Sequence, residues 1–238
     1  MNDTLVAVVT GGNRGMGLAT CKVLAERGYH VLLGCRNLEN GEQAARDLRE
    51  KELSVEAVKL DVASLEDINA LAIYLSDKHG RVDVLINNAG ILIDGQLGEA
   101  ASICDASADT LKRSFEVNTV GPVMLINALL PLMRQSGSAN IVNISSGMGQ
   151  LSDMGGQYAG YRISKTALNA VTAIFAAELE GSGITINAVC PGWVRTDMGG
   201  SNAERTLEEG VDTTIWLATS GDNQQSGGFY RDRQLIAW

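Results

Sequence analysis

Tyr161 and Lys165 stand four positions apart in Tyr161-Arg162-Ile163-Ser164-Lys165, within an apolar pattern of helical period. One helical turn separates them, so the phenol and the ammonium share a face. A free phenol titrates near pH ~10 and exchanges protons poorly at neutrality. A positive charge beside it favours the phenolate and lowers that value. The pair is therefore expected to act as a tuned proton donor. The spacing alone is common in helices, so its meaning depends on the chemistry elsewhere in the chain.

The second cluster is Thr10-Gly11-Gly12-Asn13-Arg14-Gly15-Met16-Gly17. It follows the apolar, β-branched run 5–9 and precedes a helical pattern carrying Leu18, Cys21, Val23, Leu24 and Ala25. A run of that kind reads as a strand buried on both faces of a parallel sheet. Strand, glycine turn and helix form a cradle for a pyrophosphate. Gly11 permits the tight turn, Gly15 and Gly17 let backbone approach the anion, and the helix N-terminus offers free N–H groups. The plain alternative is a glycine-rich turn that binds nothing.

The next strand, 30–35, ends in Cys35-Arg36-Asn37, with no carboxylate before Glu39. An acidic residue there holds a ribose 2′-hydroxyl, whereas an arginine accommodates a 2′-phosphate. Arg14 in the glycine loop and Arg36 at the strand end thus favour NADP(H), since guanidinium groups suit phosphate geometry. Either arginine alone could be an ordinary surface residue.

The elements that must position these groups alternate along all 238 residues. Strand patterns occupy 5–9, 30–35, 55–60, 82–86, 140–144, 185–189 and 229–235. Helical patterns occupy 40–51, 65–79, 110–135, 158–180 and 207–219. The long one contains Gly121-Pro122, where a kink or restart is expected. This alternation predicts one α/β domain over 1–238, a Rossmann-type doubly wound parallel sheet of about seven strands flanked by helices. Ligands bind such sheets at the carboxyl ends of the strands, where the order reverses.

Composition narrows the function. The chain is 45% hydrophobic with a net charge of −9. That charge argues against nucleic acid or an anionic membrane as partner. No long apolar run reads as a transmembrane helix, and the first strand begins too early for a signal peptide. The four cysteines, Cys21, Cys35, Cys104 and Cys190, lack metal-ligand spacing and read as free thiols in a reducing, cytoplasmic setting. His30 and His79 are few and far apart in sequence, so no metal site is expected.

Polar or small residues follow each strand. Asp61-Val62 follow the third; Asp61 could accept from an adenine amino group or belong to a helix N-cap. Asn87-Asn88-Ala89-Gly90 follow the fourth, Ser145-Ser146-Gly147 the fifth, and Cys190-Pro191-Gly192-Trp193-Val194-Arg195-Thr196 the sixth. Together with Thr10–Gly17, Asn118 and Tyr161–Lys165, these motifs resemble the short-chain dehydrogenase/reductase family over nearly the whole chain.

The resemblance implies a hydride-transfer enzyme. Tyr161 would donate the proton to a carbonyl oxygen, and Ser146 would hydrogen-bond that oxygen. Lys165 would lower the Tyr161 pKa and bind the nicotinamide ribose. Asn118 would hold a proton-relay water. Cofactor contacts would come from Gly11, Asn13, Arg14, Gly15, Met16, Gly17, Arg36, Asp61, Val62, Asn88, Ala89, Gly90, Lys165, Pro191, Gly192, Val194 and Thr196.

Two rivals arise within the motifs. Tyr158 precedes the same helix but meets Arg162 one turn on, and the family's ribose-binding residue is a lysine, which favours Tyr161. Ser145 and Ser146 point to opposite faces, and the family usually uses the second serine. Ser146 lies fifteen residues before Tyr161, farther than is usual, which implies a longer intervening loop.

Arg14, the stretch 191–200 and the ending 227–233 resemble the NADPH-dependent carbonyl reductases. The chain lacks the insertion that monomeric relatives carry before the tyrosine, so a homo-oligomer, a dimer or tetramer, is expected. Pocket walls are expected from 91–103, 148–158 and 193–201. Leu92, Met148, Leu151, Met154, Tyr158 and Trp193 in those loops suit a small apolar carbonyl substrate. An NADP-dependent alcohol dehydrogenase, or a non-catalytic NADP(H)-binding regulator, remains the alternative reading.

Overall fold

A computed structural model describes residues 4–95, 102–220 and 225–238. Eight strands form one sheet in the order β3-β2-β1-β4-β5-β6-β7-β8. The first seven are β1 (Val6–Thr10), β2 (His30–Cys35), β3 (Val55–Lys59), β4 (Val84–Asn87), β5 (Ala139–Ile144), β6 (Ile184–Val189) and β7 (Phe229–Arg231). All of these pair in parallel. The seventh predicted strand divides in two. β7 turns back through Asp232 and Arg233, at φ 52° and 58°, into the antiparallel β8 (Gln234–Leu235). Two successive positive φ values make a tight hairpin that twists with its strands.

The helices are α1 (Gly15–Glu26), α2 (Leu38–Arg49), α3 (Leu65–Lys78), α4 (Ala108–Phe115), α5 (Gly121–Ser136), α6 (Ala159–Glu178) and α7 (Leu207–Thr219). Alternation along the central strands divides their side chains between two apolar layers. Val9, Leu33 and Ile86 pack with Leu24 of α1 and Ile215 of α7. Val8, Leu32 and Leu85 pack with Leu75 of α3 and Leu125 and Leu129 of α5. A sheet covered on both faces needs the unbroken β-branched strands that the sequence contains.

The expected break at Gly121-Pro122 takes another form. The helix runs continuously from Ala108 to Ser136, but Glu116–Val120 winds as a π-turn just ahead of the proline. Pro122 has no N–H for the carbonyl four residues back, that of Asn118, so the ladder must shift there. By length and mean hydropathy (1.3) this stretch could cross a membrane, contrary to the expectation that no segment is apolar enough. Its Leu125, Ile126, Leu129 and Met133 are fully buried in the protein's own core.

Candidate active site

The sheet order reverses between β1 and β4, and the two strand ends are bolted together there. Thr10 Oγ1 accepts from the N–H groups of Asn88 (3.0 Å) and Ala89 (2.8 Å). The Asn88 amide in turn donates to the carbonyls of Thr10 (2.8 Å) and Gly11 (3.2 Å). Asn88, predicted to face a cofactor, thus uses its side chain to fix the shape of the glycine turn.

That turn requires its glycines. Gly11 and Gly15 have φ of 63° and 54°. A Cβ on Gly17 would lie 2.2 Å from the Gly11 carbonyl oxygen. Gly15 opens α1 with no acidic residue in its first turn, leaving the helix N-terminus to an anion. Asn13, Arg14 and Met16 sit in the same turn. Thr196, after β6, approaches the position of a Gly15 Cβ to 3.5 Å. Its hydroxyl accepts from Gly199 N at 3.0 Å. Arg14 pairs with Asp197 at 2.7 Å across the same gap, both side chains mostly exposed.

Arg36 is exposed at the end of β2. Asp61 accepts from Ala63 N at 3.0 Å, in the turn that leads to α3. That bond closes a local turn, and the α3 cap itself is Ser64, whose hydroxyl accepts from Asp67 N. Val62 is buried, its carbonyl 2.7 Å from a Cβ on Gly121. Gly192 has φ 77° and packs against the Arg205 side chain, while Val194 is buried beside Gly210.

The candidate catalytic pair lies across this crevice on α6. Lys165 is buried, and its ammonium donates to the Ile144 carbonyl at 2.6 Å. A Cβ on Gly90 would stand 3.4 Å from that ammonium and 3.3 Å from Asn118 Oδ1. The π-turn thus delivers Asn118 to the end of β4. Asn118 Oδ1 accepts from Ile91 N at 2.8 Å, and its amide donates to Ile91 O (2.8 Å) and Ser164 Oγ (3.0 Å).

Tyr161 is buried with its ring centroid 5.7 Å from the Lys165 ammonium. The Ser146 hydroxyl, which accepts from Met148 N at 3.1 Å, is close enough to the phenol to lower its pKa. Ser145 is buried on the other face, donating to Asn169 Oδ1 at 2.5 Å. The rival Tyr158 is exposed at the helix mouth, and Arg162 donates to the Gly156 and Gln157 carbonyls.

Electrostatics correct one expectation. The Tyr161 phenol is not acidified: burial pushes it up to about 12, and only the Ser146 hydroxyl pulls it back. Lys165 does not counter this, because its ammonium is turned to Ile144 O and its own value is lowered by burial to about 8.

Asp94 escaped the sequence reading. Its carboxylate accepts from Gly160 N (2.6 Å) and Tyr161 N (3.0 Å), capping α6 from 66 residues away. No local spacing could have signalled this. Nor did sequence separation keep the histidines apart: the His30 and His79 rings lie 4.9 Å from each other, at the opposite end of the sheet.

The loops expected to wall a pocket carry several exposed apolar side chains. Leu151, Met154, Tyr158 and Trp193 are exposed. Residues 96–101 of the predicted 91–103 wall lie outside the described residues. The glycine cradle, the open helix N-terminus and the buried ammonium beside Gly90 together fit a nicotinamide dinucleotide.

A family model described as short chain dehydrogenase matches residues 5–207. The short-chain dehydrogenase anuI of Penicillium roqueforti is 31% identical over 237 residues, covering 94% of this chain and 92% of that protein. Carbonyl reductase [NADPH] 1 of Sus scrofa is 29% identical, covering 100% and 95%. Among solved structures, the NADPH-bound carbonyl reductase from chicken fatty liver superposes with a TM-score of 0.86. It is 30% identical, with 99% of each chain covered.

Proposed function

The chain belongs to the short-chain dehydrogenase family, and from that membership we propose an NADPH-dependent carbonyl reductase acting on small apolar ketones or aldehydes. One observation carries the reading. A buried phenol meets a serine hydroxyl one turn from a buried ammonium, beside a glycine cradle at the reversal of the sheet. When bound, the nicotinamide cofactor supplies a hydride to the carbonyl carbon.

The chain's own residues manage the proton and the geometry. Ser146 donates a hydrogen bond to the carbonyl oxygen, where negative charge develops. Tyr161 gives that oxygen its proton. A phenol near 12 holds its proton at neutral pH, so the donor is loaded. An alkoxide is a stronger base than a phenolate, so transfer runs downhill in reduction. Lys165 holds a ribose hydroxyl from the floor of the crevice, and Asn118 fixes the backbone at Ile91. Pro191, Gly192 and Thr196 line the carboxamide end.

Arg14 and Arg36 support the phosphate-bearing cofactor. The Arg14–Asp197 pair is exposed, and an exposed ion pair is worth only ~0–1 kcal/mol. A 2′-phosphate can therefore replace the carboxylate at little cost. Both the pig and the chicken relatives are described as NADPH proteins.

The test is loss of NADPH absorbance with a panel of apolar ketones and aldehydes. Several should be reduced, with NADPH preferred to NADH. Arg14→Ala with Arg36→Ala should lower kcat/KM for NADPH by ~10-fold or more, since a charged hydrogen bond contributes ~1.5–3 kcal/mol. Cofactor binding without turnover of any compound would overturn the reading in favour of a regulator.

A further inference from the structure

Three side chains from three elements meet at the end of the sheet opposite the crevice. His30 opens β2, Glu56 stands in β3, and His79 follows the last turn of α3. Leu32 is the register partner of Glu56, and His30, two residues earlier, shares its face. That face is the one α3 covers, so its C-terminus carries His79 onto the pair.

One donor atom from each residue lies within 4.8 Å of the other two. His30 Nε2 is 3.6 Å from Glu56 Oε2. The Nε2 atoms of both histidines are buried and lack any hydrogen-bond partner. Buried nitrogens left unpartnered are costly, and two of them facing one carboxylate leave a place for a cation. The remaining atoms are already engaged. His30 Nδ1 meets Ser54 Oγ at 2.8 Å, and Glu56 Oε1 accepts from Tyr74 OH. Outer partners of this kind orient metal ligands and fix which nitrogen presents its lone pair.

We propose that His30, Glu56 and His79 bind one divalent transition-metal cation of the imidazole-preferring class, for which Zn2+ is the probe. Zinc bonds of about 2.0–2.2 Å set tetrahedral ligand atoms about 3.3–3.6 Å apart. The His30–Glu56 spacing meets this already, and His79 needs a closure of about an ångström. Water completes the fourth position. A His30–Glu56 ion pair alone would leave His79 Nε2 without a partner. Lys78 opposes the cation with its own charge, and the Glu56 carboxylate offsets it. The cation would clamp β2, β3 and α3 together, far from Tyr161, so it stabilises the fold and takes no part in turnover. The site stands independently of the reductase reading.

The experiment uses untagged, EDTA-treated full-length protein carrying Cys104→Ser, which removes the exposed thiol as a competing ligand. Calorimetric titration with ZnCl2 should show one equivalent per chain with a micromolar Kd. His30→Gln and His79→Gln should each weaken it ~10-fold or more. Zinc should raise the thermal midpoint of the parent protein and leave both variants unmoved. Should either variant fail to fold by circular dichroism, Glu56→Gln is read in its place, together with the Co2+ spectrum of the parent. Tetrahedral Co2+ bands without thiolate charge transfer support the site. No saturable binding, binding untouched in the variants, or a thiolate band would overturn it.

Discussion

Lys165 is an ammonium held where water does not reach. Among the described residues its ammonium hydrogen-bonds the Ile144 carbonyl, and burial lowers its pKa from 10.5 to about 8. It therefore loses its charge as pH rises through about 8, while Tyr161, near 12, keeps its proton. On the reductase reading, kcat/KM for NADPH, which reports groups of the free enzyme, should be level below that pH and decline above it. A flat profile to pH ~10, the ordinary lysine range, would contradict a role for this ammonium. Stability runs the other way for this group. Between about 8 and 10.5 the unfolded chain binds the proton that folded Lys165 has released, so the Lys165 contribution to stability rises with pH. The Tyr161–Lys165 pairing was legible from spacing alone, because helix period fixes which residues share a face. The direction of the Tyr161 shift was not, because desolvation depends on what the rest of the fold packs around it.

At the scale of elements, the start of α6 decides where the phenol sits. Tyr158, the residue before it, is left-handed at φ 53° and supplies no side-chain cap. Asp94 does so from the loop after β4, binding the N–H groups of Gly160 and Tyr161. Asp94→Ala should lower unfolding free energy by about 1–2 kcal/mol, the usual worth of a helix cap. It should also reduce kcat, because the first turn carrying Tyr161 loosens. Asp94→Asn retains an acceptor oxygen and should lose less of both. Chemical denaturation and steady-state rates measure this, and an unaltered kcat in Asp94→Ala would show that the cap does not position Tyr161. The capping box of α7 joins Thr206 and Glu209, three residues apart, whereas the Asp94 cap joins residues 66 apart and carries no local signal. The π-turn was half-legible: Gly121-Pro122 marked a disturbance, and only packing shows that it turns Asn118 towards Ile91.

At the scale of the molecule, strand and helix alternation made the doubly wound sheet legible, because each buried parallel strand needs an unbroken apolar run. The short β8 was hidden, since 229–235 reads as one strand until the backbone of Asp232 and Arg233 reverses it. The surface beside the active-site helices leaves Phe115, Val120 and Ile163 exposed. These neighbouring apolar groups on α4, the π-turn and α6 fit a subunit contact, so light scattering should give a dimer or tetramer; a monomer at micromolar concentration would contradict it. The proposed reduction turns on one proton, and Tyr161→Phe tests that most directly, since it removes the hydroxyl and keeps the ring. Single-turnover oxidation of NADPH by a reducible ketone should slow by ~100-fold or more, the scale of general acid catalysis, with NADPH affinity unchanged. Wild-type rates in that variant would contradict the account.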